Sequence, residues 1–276
     1  MIILDIHTVI LLSVILYTLC TLLIAQLWQQ NRRRFAGMAF WLFAFVLQTL
    51  GLALIVLRGA VPDWASVVLA NALVFAGALL LYMGLERFFG KIGSQLHNYL
   101  LFVLYVGAFV YATFLHPDLH LRTLIVSVAL LIVSLQYLLL LWRRVEPGMR
   151  PLTSGLSLVF IGHCLVNAAR VVEYFLVAPA GDDFFHSGDF QALVLVTYQI
   201  LMILLTYSLI LMVNKRLYLA ISVQEEKFAK AFHSAPYAIT LTRHSDGTIV
   251  DVNDGFVAIT GYDRAEVLGK KTMDLH

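Results

Sequence analysis

Four side chains share one face of a single apolar stretch. His163, Asn167, Arg170 and Tyr174 follow one another at spacings of four, three and four, and Glu173 stands three residues beyond Arg170. On a helix, residues three and four apart lie one above another, so an imidazole, an amide, a guanidinium and a carboxylate come within mutual reach. An ionisable group in an apolar span is costly and faces the interior of a bundle or a water-filled cavity. The chemistry such a face offers is recognition: a small ligand, a proton or a lipid head group held in a polar pocket, with His163, Asn167, Arg170 and Glu173 as the candidate sensing residues. The same groups also suit cohesion, with Arg170 paired to Glu173 and the other two bonded to neighbouring helices. Gln48, Asn71, Gln136 and Gln199 are the candidate partners on either account.

Two short connections carry groups of another kind. His116, Asp118 and His120 share one, and Asp182, Asp183 and His186 share the other. Imidazole with carboxylate binds zinc and similar ions, and the spacing of His116 and His120 suits one helical face. Pro117 lies between them and breaks that helix, and no closed ligand set is visible, so no metal site is expected. Cys20 and Cys164 sit inside apolar runs and read as small packing residues, not as a disulfide or zinc framework. His7 reads as interfacial.

The elements that must position these groups are set by composition. Hydrophobic residues make up 61% of the chain and charged ones 13%, and the mean hydropathy is +0.85; most of such a chain belongs in lipid. Seven apolar segments can be marked, at 5–28, 36–57, 64–85, 97–115, 119–142, 153–177 and 190–213. The first lacks a basic leader and a small-residue cleavage site, so it reads as a retained anchor. Arg32, Arg33, Arg34, Arg87, Lys91, Arg143, Arg144, Arg150, Lys215 and Arg216 border one side, and only Arg58 and Arg122 the other. Cytoplasmic loops collect Lys and Arg, which places the N-terminus outside and the C-terminus in the cytoplasm.

No proline interrupts a span: Pro62, Pro117, Pro147, Pro151 and Pro179 fall in or beside loops, and Pro236 lies beyond the last span. Transporters use broken helices in repeated halves, and neither is visible here. A retinal Schiff base needs a lysine in a span, and the last span has none.

Residues 190–213 hold no Lys, Arg, Asp, Glu, Gly or Pro, and Lys215 and Arg216 close the run. Beyond them Leu217, Ile221, Gln224, Phe228, Ala231 and Ala235 recur at alternating spacings of four and three, the seam of a two-helix coiled coil. From Tyr237 the pattern turns to β. Residues 237–243 and 248–252 read as two strands joined at His244, Ser245, Asp246 and Gly247. Asn253 then caps a helix through Thr260, with Phe256 and Ile259 inward and Gly261 as its left-handed stop. Asp263 and Glu266 have the spacing of a capping box for a further turn that Gly269 ends.

The run FHSAP at 232–236, DGTIVDVN at 246–253, Phe256, ITGY at 259–262 and EVLGK at 266–270 closely resembles the N-terminal half of a PAS domain. In that family two strands lead through short helices to three more strands, which close a five-stranded sheet over a pocket. The resemblance therefore implies a fragment of a longer protein cut inside that domain. It assigns the PAS motif to Asp246, Gly247, Asn253, Phe256, Gly261, Tyr262 and Gly269, with Asn253 in a capping role. It assigns no cofactor, because the haem- and flavin-binding members use later His or Cys residues, and the PAS ligand is unknown. His233 reads as a junction residue, since kinase phosphoacceptor motifs place an acidic residue where Ser234 stands.

More loosely, the order of spans, with Asn31 to Arg34 and Pro62 to Trp64, is similar to the input regions of bacterial sensor histidine kinases and diguanylate cyclases. The expected fold is mainly α: a seven-helix transmembrane bundle (1–216), a signalling helix (217–232) and a truncated α/β PAS domain (233–276). The implied function is a membrane receptor passing a stimulus to an output domain or a response regulator of a two-component system. It would be dimeric through the linker helix and PAS, with the lipid bilayer as partner and no nucleic acid. No catalytic residue is present in the chain; the implied enzyme lies downstream. The competing expectations are a PAS-regulated transporter or lipid-handling protein, and a passive anchor for a cytoplasmic PAS sensor.

Overall fold

The computed structural model describes residues 6–145, 150–176 and 189–275. Asp5 and Val177 at two expected span ends, Pro147, Pro179, the loop residues Asp182, Asp183 and His186, and His276 lie outside these. The chain is mainly α, with, among the described residues, seven helices long and apolar enough to cross a membrane and a small two-stranded sheet near the C-terminus. They are α1 (Ile6–Asn31), α2 (Met38–Val56), α3 (Ala70–Phe88), α4 (Leu96–Val110), α5 (Leu119–Leu139), α6 (Arg150–Leu176) and α7 (Asp189–His233). Among the described residues three π-helical turns extend spans at one end: Trp64–Leu69 before α3, Tyr111–Leu115 after α4 and Leu140–Arg144 after α5. A uniformly apolar sequence does not distinguish such wider turns from α-helix, and none was expected. Pro151 sits in the first turn of α6, where its missing N–H costs nothing.

By its contacts the chain divides into Met1–Met212 and Val213–His276. In the first unit α2 and α3 pack at backbone distance. Small residues recur every seven positions on both, Gly37, Ala44 and Gly51 against Gly84, Gly77 and Ala70. A Cβ on Gly51 would lie 2.6 Å from the Ala70 carbonyl oxygen, and one on Gly77 2.7 Å from that of Ala44. One on Gly37 would collide with the Gly84 carbonyl. Lipid offers no hydrophobic drive for helix association, so close van der Waals contact at small residues supplies it. Trp41, fully buried, fills the space beside Gly84.

In the second unit α7 ends at His233, so Ala235 lies past the helix and is not part of its seam. Strands β1 (Thr240–Thr242) and β2 (Ile249–Val252) pair antiparallel, with a bulge between Leu241 and Thr242. β1 is shorter than the expected 237–243, because the backbone of residues 235–239 bonds to the Asn253 side chain and so leaves the ladder. Helices α8 (Asp254–Thr260) and α9 (Arg264–Val267) follow, the latter opened by the Asp263 and Glu266 capping box. Ile249, Val252, Phe256 and Val267 form the core, with Tyr262 and Leu275 packed on it. Ile259, expected to face inward, is 62% exposed. It lies about 60° round the helix from Phe256, off the single face that α8 presents to the hairpin.

Candidate functional site

On α6 the expected face exists, but its connections differ from those the spacing suggested. Asn167 is fully buried; its Nδ2 donates to the His163 carbonyl at 2.8 Å, and its Oδ1 accepts from the Tyr198 hydroxyl of α7 at 2.8 Å. The Arg170 guanidinium also reaches that hydroxyl. The Tyr198 oxygen thus links the amide and the cation. The His163 and Tyr198 rings stack at 5.8 Å. Arg170 is 5% exposed, and its Nε has no hydrogen-bond partner among the described residues. Glu173 is only half-buried, and no ion pair joins it to Arg170. The Tyr174 ring packs against that of His120 at 4.5 Å, tilted by 30°.

Of the candidate partners, Gln199 turns to α1, donating to the Val9 carbonyl at 2.8 Å and to Ser13 Oγ. Asn71 caps back onto Val67 within its own segment. Gln136 leaves a buried oxygen without a donor among the described residues. Gln48 lines the cavity onto which the α6 face opens. Tyr198, the group that does bond the face, was not singled out by sequence; its hydroxyl was one of several in that span, beside those of Thr197, Thr206, Tyr207 and Ser208.

That cavity has a volume of about 220 Å³ and draws its lining from all seven helices, with Phe109 the contribution of α4. His163, Arg170, Tyr198 and Gln199 line it, together with Ser13 and Tyr17 of α1 and Tyr137 of α5. So do Arg58 and Arg122, read from the sequence only as markers of topology. Tyr137 is held by its bond to the Ala78 carbonyl at 2.6 Å and by stacking on Phe160 at 3.8 Å.

The other loop residues have structural work. Asp118 caps α5, accepting from the Leu121 amide at 3.0 Å, while His116 stacks on Tyr111 and His120 packs tilted against Tyr174. Among the described residues no group of three His, Cys, Asp or Glu side chains is placed to hold a metal ion.

Near the C-terminus Asn253 uses every polar atom of its side chain. Its Oδ1 accepts from Ile239 N at 2.8 Å and Phe256 N at 2.9 Å; its Nδ2 donates to the carbonyls of Tyr237 at 2.8 Å and Ala235 at 3.2 Å. A Cβ on Gly255 would lie 2.5 Å and 2.7 Å from the same two carbonyl oxygens, so the chain just after α7 is clasped at backbone distance. His233, the last residue of α7, stands 3.4 Å from the Asp254 carboxylate. Asp246 and Gly247 form the hairpin turn, Gly247 at φ +72°. The Thr248 backbone N–H donated to Asp246, with help from the Thr248 side chain and Arg243, holds that carboxyl below its ordinary range. Gly261 supplies the left-handed cap of α8, Tyr262 covers the core, and Gly269 at φ +82° donates its N–H to the Ile249 carbonyl.

No curated protein and no solved structure matches the chain. Residues 226–275 match the family described as the PAS domain, beginning within α7 and taking in the Asn253 clasp.

Proposed function

We propose that this chain is the input half of a bacterial inner-membrane signalling receptor, in which the seven-helix unit receives a stimulus and α7 passes it to the PAS segment. The observation that carries the reading is α7, a single helix that is an apolar span at its start and lies within the PAS match at its end. Two packings of the bundle would differ in the shift or rotation of this helix, and a ligand preferring one of them biases the other end. A coupling of about 1–3 kcal/mol changes output from several-fold to about a hundredfold.

The N-terminus lies outside and the basic collar of Lys215 and Arg216 lies in the cytoplasm. Ile221, Gln224 and Phe228 are exposed on α7, as a seam awaiting a second copy would be. The receptor is a homodimer through this seam, and its output is a histidine kinase or a diguanylate cyclase.

Insertions test this. One alanine after Ser222 turns everything downstream by about 100°, and seven restore the register. In cells carrying the full-length protein, phosphorylation and cyclic diguanylate are both read. The single insertion abolishes or inverts regulation of one of them and the seven-residue insertion preserves it; equal effects from both contradict the reading. Disulfide trapping at cysteines replacing Ile221 and Phe228 captures dimers in membranes, and failure at both positions removes the dimer. A passive anchor instead predicts that replacing His163, Asn167 and Arg170 together leaves output unchanged.

A further inference from the structure

Three guanidinium groups from separate parts of the bundle line one cavity: Arg58 after α2, Arg122 on α5 and Arg170 on α6. Among the described residues no aspartate or glutamate lines it. Arg122 donates its Nε to the Asp118 carbonyl at 3.4 Å, and Arg58 is also engaged. Arg170 differs, being 5% exposed and, among the described residues, having an unbonded Nε and Tyr198 on α7 as the partner its guanidinium reaches. A guanidinium does not shed its proton in a protein. A cation so placed is completed by an anion.

The remaining walls are mostly apolar, including Leu52, Ile55, Val74, Leu130, Val133 and Leu195. A bare inorganic ion would leave that apolar surface uncovered, whereas a hydrocarbon body would cover it. A cavity of about 150 Å³ takes benzene, so about 220 Å³ takes roughly nine carbon-sized atoms. That is too little for a two-chain lipid.

We propose that this cavity binds a small amphiphilic anion, a carboxylate or phosphate monoester head against Arg170 with a short hydrocarbon body among the aliphatic walls. As the stimulus it rests on the receptor reading above; as a binding site it does not, because binding is read without any output.

The full chain in nanodiscs of zwitterionic phosphatidylcholine is dialysed against radiolabelled octanoate. Saturable binding of one octanoate per chain is expected, weakened at least tenfold in R170M and less in R170K, and unchanged in the exposed variant K230M. Octyl phosphate competes on the wild-type chain if the site accepts a phosphate head. If it fails while unlabelled octanoate competes, the head is a carboxylate; either result supports the site. Competition by 1-octanol or inorganic phosphate as effective as that by octanoate overturns the proposal. So does tighter binding of oleate than of octanoate, equal binding by R170M, or no saturable binding. The competition arms use the wild-type chain, so they hold whether or not a variant folds.

Discussion

Asn253 and Arg170 are both buried polar groups, one bonded to the chain just after α7 and the other to a hydroxyl on it, and they differ in how completely they are bonded. Asn253 has four partners for its amide, all of them backbone groups of its own unit, and leaves no room for anything else. Among the described residues Arg170 reaches one hydroxyl and keeps an unbonded Nε, and it borders a cavity. A finished hydrogen-bond set is a joint, because removing it exposes groups that nothing else can satisfy. An unfinished one costs stability as it stands and recovers it when a ligand arrives.

The largest effect should come from Asn253→Ala, which removes the side-chain partner of two amides and two carbonyls. Stability of the Val213–His276 unit should fall by about 3 kcal/mol or more, read as protease susceptibility of the full chain. An unchanged susceptibility would erase the contrast. Tyr198→Phe removes the hydroxyl between Asn167 and Arg170, and should destabilise the bundle by about 1–2 kcal/mol in a detergent unfolding titration. Arg170→Met should leave stability within about 1 kcal/mol of wild type, or raise it, since an incompletely bonded buried cation is replaced by an apolar chain of similar length. A loss as large as that of Asn253→Ala would make Arg170 a joint as well.

The smallest effect belongs to Asp246. Its folded-state pKa lies below the unfolded value, so its contribution is complete above about pH 4 and disappears as pH falls through the folded value. Faster exchange of the Thr248 amide in Asp246→Asn should therefore hold at neutral pH, and the difference from wild type should close in acid.

The spans were legible because a run of apolar residues long enough for lipid has few other uses, and the caps at Asn253, Asp263 and Gly261 were legible because each position demands a particular residue type. Ile259 was misplaced because apolarity alone does not say how many faces a short helix buries. The α2–α3 contact was overlooked although its signal, small residues every seven positions at 37, 44, 51 and 70, 77, 84, was present in the chain. At the candidate site, periodicity along α6 grouped His163, Asn167 and Arg170, and Tyr198 of α7 contacts all three. Periodicity could not show that Tyr198 would face them, or that Arg58 and Arg122, distant in sequence, would open onto the same volume, since both depend on how the helices pack.

Hydrogen–deuterium exchange of the full chain in nanodiscs, with and without octanoate, bears most directly on a bundle that senses and a helix that transmits. Protection should rise both around the α6 face, at residues 160–176, and in α7 and the clasp, at residues 217–237. Protection confined to the bundle, with 217–237 unchanged at saturating octanoate, would contradict transmission through α7.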